Sequence, residues 1–343
     1  MSMITLVRTA SRWEILAVLI AIFSFVSSGC NGGSSTPLPP PPPGTSGGMF
    51  ITDFTNNSIS GFGQGANCNC PPALYIHGGN TGLSGPMGIA ADKAGNLYVA
   101  NSSVGTITKY PGTGTGNISP SFAIGGLSQP IGVAVDSSGN LYVANSAVSS
   151  GVPSVQVYPR GSSVPSQTIS GPSTALSTPS FITLDASNNI WVANQTGNSI
   201  EEFANSATGN VPPANILAGT RTLLSAPQGI AFDAFGRLYV AINNALGFSD
   251  AVLVFAPGAT GNVKPVNILC GSATAVNNPT GIAVNSQGTL FVVNSAVALS
   301  AGSLVIFAAN NIGGGMNCNG TFPNAVVGGP SSTLLNPAGI ALH

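Results

Sequence analysis

The chain has 343 residues, with 8 Lys and Arg against 9 Asp and Glu, a charged share of 5% and a net charge of −1. So few cations exclude an electrostatic footprint for nucleic acid, and a 43% hydrophobic share excludes general disorder. Gly (45) and Pro (26) are plentiful, and Ser, Thr and Asn fill most polar positions. A sparsely charged polar surface suits an exported protein better than a cytosolic one.

In chain order, Arg8 and Arg12 precede an apolar run at 15–26, ILAVLIAIFSFV. This run is short for a membrane-spanning helix and suits the core of a signal peptide. Ser27-Ser28-Gly29-Cys30 follows, and small residues before a Cys resemble a bacterial lipoprotein signal. The resemblance implies that residues 1–29 are a leader and that Cys30 is lipidated as the mature N-terminus. Acyl chains there would hold the protein to a membrane without a spanning helix. Ser27 stands where that family usually carries Leu, Val or Ile, and ordinary secretion is the alternative. Residues 30–48 are rich in Pro, Gly and Ser; the Pro run favours extended polyproline II, and the stretch reads as a tether.

From residue 49 to 343 one unit recurs. Its first strand is GIAAD at 88–92, repeated with variation from Gly132, Phe181, Gly229, Gly281 and Gly339. A Pro stands two residues earlier in each copy: Pro86, Pro130, Pro179, Pro227, Pro279 and Pro337. Pro cannot donate to a ladder, so it marks a strand's beginning. The copies are spaced by 44, 49, 48, 52 and 58 residues. The second strand is LYVAN at 97–101, with relatives ending at Asn145, Asn194, Ile242 and Asn294. Gly95-Asn96 and its counterparts between these strands tolerate the positive φ of tight turns. The acid before the turn can accept hydrogen bonds from turn amides.

The third strand ends in an aromatic: Phe62, Tyr110, Tyr158, Phe203, Phe255 and Phe307. A recurrent aromatic at one register reads as packing between units. Fourth strands are expected at 73–79, 121–126, 166–171, 213–219, 265–271 and 324–329. Four short strands per unit at this period give an all-β, six-bladed β-propeller with antiparallel blades. Met49 to Asp53 matches a second strand and Gly339 to His343 a first strand, so the two ends should share one blade and close the ring. The P-x-G-I-A-x-D and G-N-L-Y-V-A-N units resemble the NHL-repeat family of six-bladed propellers. Phe181 in place of the repeat Gly departs from that pattern.

Four cysteines lie in the array. Cys68 and Cys318 share an Asn-Cys-Asn setting and align between neighbouring blades. A disulfide from Cys318 to Cys68 or Cys70 would staple the closure, and Cys270 reads as a buried free thiol. The C-x-C spacing lacks the second pair a zinc site needs, so no metal ligands are expected.

Catalytic chemistry is scarce. His77 and His343 are the two histidines. Glu201 and Glu202 are neighbours on a third strand, pointing to opposite faces, so at least one is solvated. Asp92, Asp136, Asp185 and Asp233 belong to the repeat turn, leaving Asp53 and Asp250 as loose acids. No catalytic residue and no cofactor is assigned. Gluconolactonase-like hydrolases imply a Glu, Asn and Asp cluster on a divalent metal in the channel. Streptogramin-lyase-like propellers imply a His and a Glu with magnesium. Neither set maps onto residues of this chain.

Three connections between second and third strands are long, at 146–154, 243–250 and 295–303, and all should project from one face. They carry Val148, Val152, Leu246, Phe248, Val297 and Leu299, apolar residues on exposed loops that suit a partner site; mutual packing over the channel mouth is the alternative. The expectation is a cell-envelope lipoprotein, membrane-held through Cys30, whose propeller binds or scaffolds a protein or small ligand and does not bind nucleic acid. The alternative is a metal-dependent hydrolase or lyase with a site in the channel.

Overall fold

The computed structural model describes residues 48–147, 151–243, 250–296, 301–312 and 322–343. The expected leader, Cys30 and all of the tether except Gly48 lie outside these residues. No helix among the described residues is long and apolar enough to cross a membrane.

The described chain forms six four-stranded sheets. Blade 1 contains β1 (Gly48–Asp53), β2 (Ser58–Gly63) and β3 (Leu74–Ile76). Blade 2 is β4 (Pro86–Ala91), β5 (Asn96–Asn101), β6 (Thr106–Pro111) and β7 (Phe122–Ile124). Blade 3 is β8 (Pro130–Val135), β9 (Leu141–Asn145), β10 (Ser154–Tyr158) and β11 (Gln167–Ser170). Blade 4 is β12 (Pro179–Leu184), β13 (Ile190–Asn194), β14 (Ser199–Phe203) and β15 (Asn215–Ala218). Blade 5 is β16 (Pro227–Phe232), β17 (Leu238–Ile242), β18 (Ala251–Phe255) and β19 (Asn267–Cys270). Blade 6 is β20 (Pro279–Val284), β21 (Leu290–Asn294), β22 (Ser303–Phe307) and β23 (Ala325–Gly328). The last strand, β24 (Pro337–Leu342), pairs antiparallel with β1, placing Ile340 opposite Ile51. The ring therefore closes through a blade shared by the two ends. Each fourth strand is present, a little shorter at its ends than its sequence segment.

The inner strands β24, β4, β8, β12, β16 and β20 surround the axis, and the repeat Gly explains their closeness. A Cβ on Gly88 would lie 2.4 Å from Ile131 O, and one on Gly339 2.4 Å from Met87 O. Five of the six inner strands thus meet a neighbour backbone to backbone at a Gly, and β12 carries Phe181 at that position. The recurrent aromatics fill the spaces between blades: Tyr110, Phe203, Phe255 and Phe307 are all 0% exposed.

The turn acids act as the sequence indicates. Asp136 Oδ1 accepts the N–H groups of Ser138 (2.8 Å) and Asn140 (2.9 Å). The other carboxylate oxygen takes a donor from the second strand: the Tyr142 hydroxyl at 3.3 Å here, the Trp191 indole N–H on Asp185 at 3.3 Å in the next blade. Positive φ falls on the first residue of the Gly-Asn pair alone, as at Gly95 (78°) and Asn188 (61°). The second residue begins β5 at Asn96 and immediately precedes the second strand in blades 3 to 6.

In blades 2, 4 and 6 the Asn closing the second strand fastens the linker that leads into its own blade. Asn194 Oδ1 accepts the N–H groups of Ser177 (2.8 Å) and Thr178 (3.0 Å). Asp53 occupies this position in blade 1, so it is not a loose acid. Its Oδ2 accepts the N–H groups of Leu335 (2.7 Å) and Asn336 (2.9 Å) beside the ring closure. Asp250 likewise accepts the Asn278 N–H in the linker before blade 6.

The cysteines depart from expectation. Cys68 is bonded to Cys70, with Cα atoms 5.2 Å apart, so neither is linked to Cys318. Blade alignment identifies equivalent positions but cannot rank a pairing across a single intervening residue. Cys270 is disulfide-bonded rather than a free thiol. Cys318 lies outside the described residues.

Candidate functional site

Two concavities follow from this architecture. The central channel, about 420 Å³, is lined by the inner strands, with Ala90, Val133, Ile182, Ala231 and Ile282 among its residues. Thr183 supplies the lining's one polar side chain, and the lining holds no Asp, Glu or His. Phe181, standing where the other copies have Gly, also lines it. Such a surface can exclude water but offers no acid, base or metal ligand. Among the described residues no group of three or more His, Cys, Asp or Glu is placed to hold a metal. His77 stacks on Tyr75 with ring centroids 4.3 Å apart, directly after the outer strand β3 and away from the channel.

The second concavity is a cleft of about 660 Å³ on the face carrying the first-to-second-strand turns. It lies between blades 4 and 5 and reaches the blade 6 turn at Asn285. Trp191 on β13 and Glu202 on β14 are directly opposite each other in register, and Asn215 on β15 is opposite Glu202. Strand pairing therefore puts all three on one face of blade 4, the face turned toward blade 5. Trp191 meets the Phe232 ring of blade 5 edge to face at 5.3 Å, and both line the cleft. The Asn215 side-chain amide donates to Glu202 Oε2 at 2.7 Å and fixes the half-buried carboxylate. Asp233 in the opposite wall is neutralised by Arg237, whose Nε donates to its Oδ2 at 2.6 Å.

The corresponding second- and third-strand pair is Tyr98 with Lys109 in blade 2, Tyr142 with Val157 in blade 3, Tyr239 with Val254 in blade 5 and Phe291 with Ile306 in blade 6. Blade 4 is the copy with Trp and Glu there. The lining presents acceptors and contains no Lys, Arg or His. It suits a ligand that brings hydroxyl or ammonium donors together with an apolar surface. Sequence reading passed over this pair because each residue alone looks like an ordinary repeat variant. The usable signal was their coincidence in one copy.

Glu201 points the other way, toward blade 3, and is 1% exposed. Its Oε1 accepts the Ser199 hydroxyl (2.5 Å) and the Asn194 side-chain amide (3.1 Å). Its Oε2 has no hydrogen-bond partner among the described residues. Burial pushes its pKa up to about 7, against the lowering effect of those two bonds. Alternation along a strand predicts that the two glutamates separate; it does not say which is buried.

Of the six loop residues expected to meet a partner, Val152 is described and is 60% exposed. Val148, Leu246, Phe248, Val297 and Leu299 lie outside the described residues.

Comparison with known proteins follows the fold. Residues 127–158 match the NHL repeat profile, spanning β8 to β10. A protein of unknown function from Bacteroides caccae superposes with a TM-score of 0.63 at 12% identity, covering 87% of this chain and 98% of that one. A chain of a nidogen/laminin complex gives a TM-score of 0.58 at 16% identity, covering 86% and 97%. A functionally unknown protein from Desulfotomaculum acetoxidans gives 0.53 at 14%, covering 85% and 84%. At such identities these likenesses show a shared fold. No curated protein matches the sequence significantly. The chain is thus a six-bladed propeller with an NHL-like repeat.

Proposed function

We propose that this propeller is a non-catalytic binding or scaffolding module, held to a bacterial cell envelope through a lipid on Cys30, and that its ligand seats in the cleft between blades 4 and 5. The observation that carries the reading is the pairing of Trp191 with Glu202 in blade 4, where the other blades carry different pairs. Turn, linker and clamp residues recur around the ring because each blade needs them. A site for one ligand belongs where a copy differs. The aliphatic channel lining and the use of Asp53, Asp92, Asp136, Asp185 and Asp233 as backbone acceptors support binding over chemistry. A solved propeller of like fold in a nidogen/laminin complex is consistent with a protein partner. The small-residue run before Cys30 and the Pro-rich stretch after it support the anchor and tether.

Affinity capture on the immobilised mature protein tests the reading, with Glu202→Arg as the paired variant. Arg at this position would place a long cation in the cleft. A ligand held by the native protein and lost from the variant supports the assignment. A ligand held equally by both places its site elsewhere.

A further inference from the structure

At four places among the described residues the loop between the third and fourth strands of one blade covers the free edge of the preceding blade's fourth strand. Asn117, Asn210, Asn262 and Asn69 each accept one backbone N–H through Oδ1 at 2.8 Å, from Asn80, Ser173, Arg221 and Ser331 respectively. Covering the edge in this way shields donors and acceptors that would otherwise template aggregation. In three clamps the residue before the Asn is a glycine with left-handed backbone: Gly116 (φ 75°), Gly209 (77°) and Gly261 (68°). The N–H and C=O of that glycine pair with the strand edge, as Gly116 does with Tyr75 O (2.7 Å) and the His77 N–H (3.1 Å).

The fourth clamp is built differently. Cys68 stands at the glycine position, is absent from the positive-φ residues, and is bonded to Cys70. Asn67 takes the place of Thr115 and Thr208, accepting the Val326 N–H through Oδ1 at 3.1 Å. The disulfide holds this turn by a covalent bond, where the other clamps use a left-handed glycine. This clamp joins blade 1 to blade 6, between segments 262 residues apart. Both cysteines are half-buried on a surface loop, which leaves them open to a thiol.

We infer that the Cys68–Cys70 disulfide is a reducible latch on the join between blades 6 and 1. A dithiol reductant attacks one sulfur through a thiolate, and its second thiol resolves the mixed disulfide. Two electrons and two protons pass to the chain, leaving two cysteine thiols and an oxidised reductant. The loop then loses its covalent turn, with no glycine to replace it, and Asn67 and Asn69 release the Val326 amide on β23 and the Ser331 amide just beyond it.

Hydrogen exchange at the Val326 and Ser331 amides reads the latch on the full chain. Exchange at both is expected to be at least about tenfold faster in Cys68→Ser/Cys70→Ser, a loss of about 1.4 kcal/mol or more of local protection. Oxidised Asn67→Ala/Asn69→Ala should reach a similar rate, as should the native protein in dithiothreitol. The double cysteine variant, which keeps the Cys270 disulfide, should show no further response to dithiothreitol at these amides. Unchanged exchange in that variant overturns the proposal. So does an equal response of both proteins to dithiothreitol, which would assign the effect to Cys270.

Discussion

Glu201 and Glu202 are consecutive on β14 and face opposite sides of blade 4: the first is buried against blade 3, the second opens into the cleft beside Trp191. Their separation makes one a burden on stability and the other a candidate ligand contact.

The buried member sets a pH dependence. No Asp, Glu, Lys, Arg or His occurs in β9, β10, β11, β13, β15 or the linker at 171–178, so no charge packed around Glu201 compensates it. Its pKa is raised from 4.5 to about 7, so the folded state holds the proton more tightly than the unfolded chain. Stability therefore falls as pH rises from the unfolded value through about 7, then levels off. The gap corresponds to about 3 kcal/mol at most. Glu201→Gln should remove this slope and be the more stable protein at pH 8, by roughly 2 kcal/mol. Urea unfolding at pH 5 and pH 8 checks it; equal slopes in both proteins would refute the assignment.

Asp53 offers a contrast of two substitutions. Asn fills the same position in blades 2, 4 and 6, where Asn101, Asn194 and Asn294 accept linker amides. Asp53→Asn should therefore be tolerated to within about 1 kcal/mol. Asp53→Ala strands the Leu335 and Asn336 amides beside the closure and should cost about 2–3 kcal/mol. Denaturation midpoints of the two variants give the comparison.

The inner-strand glycines predict a steric effect. A Cβ at Gly132 would lie 2.6 Å from Ser180 O, a backbone atom that cannot rotate away. Gly132→Ala should destabilise by about 2–3 kcal/mol through overpacking. Gly63→Ala, at a glycine with no atom within 4 Å of the added Cβ, serves as the control and should change the melting temperature little.

The anchor has its own readout. Intact mass and N-terminal peptide mapping of the mature protein should find an acylated Cys30. An unmodified N-terminus at another residue would leave a secreted propeller.

Most of the fold was legible because every blade obeys the same local physics. Pro86 and its counterparts mark strand starts, the Asp turns recur, and the partial units at Met49 and Gly339 demand a shared blade. The edge clamps were also present in the sequence, as Thr-Gly-Asn at 115–117, 208–210 and 260–262. Their role appears only once neighbouring blades are set side by side, since the Asn bonds an amide just past a fourth strand, some 40 residues away. The cleft was hidden for a related reason. Trp191 and Glu202 are 11 residues apart and become partners through strand register, while Phe232 arrives from the next blade. The Cys68–Cys70 pairing is not legible from blade alignment, which relates positions in different blades and not two residues of one loop.

Trp191 is one of two tryptophans, and the other, Trp13, lies in the expected leader. Its emission in the mature protein therefore reports on the cleft directly. Envelope components retained by the immobilised native protein should shift that emission saturably on titration, and Glu202→Arg should neither retain them nor respond. A retained component that binds the native protein and Glu202→Arg equally, with Trp191 emission unchanged, would contradict the cleft as the binding site.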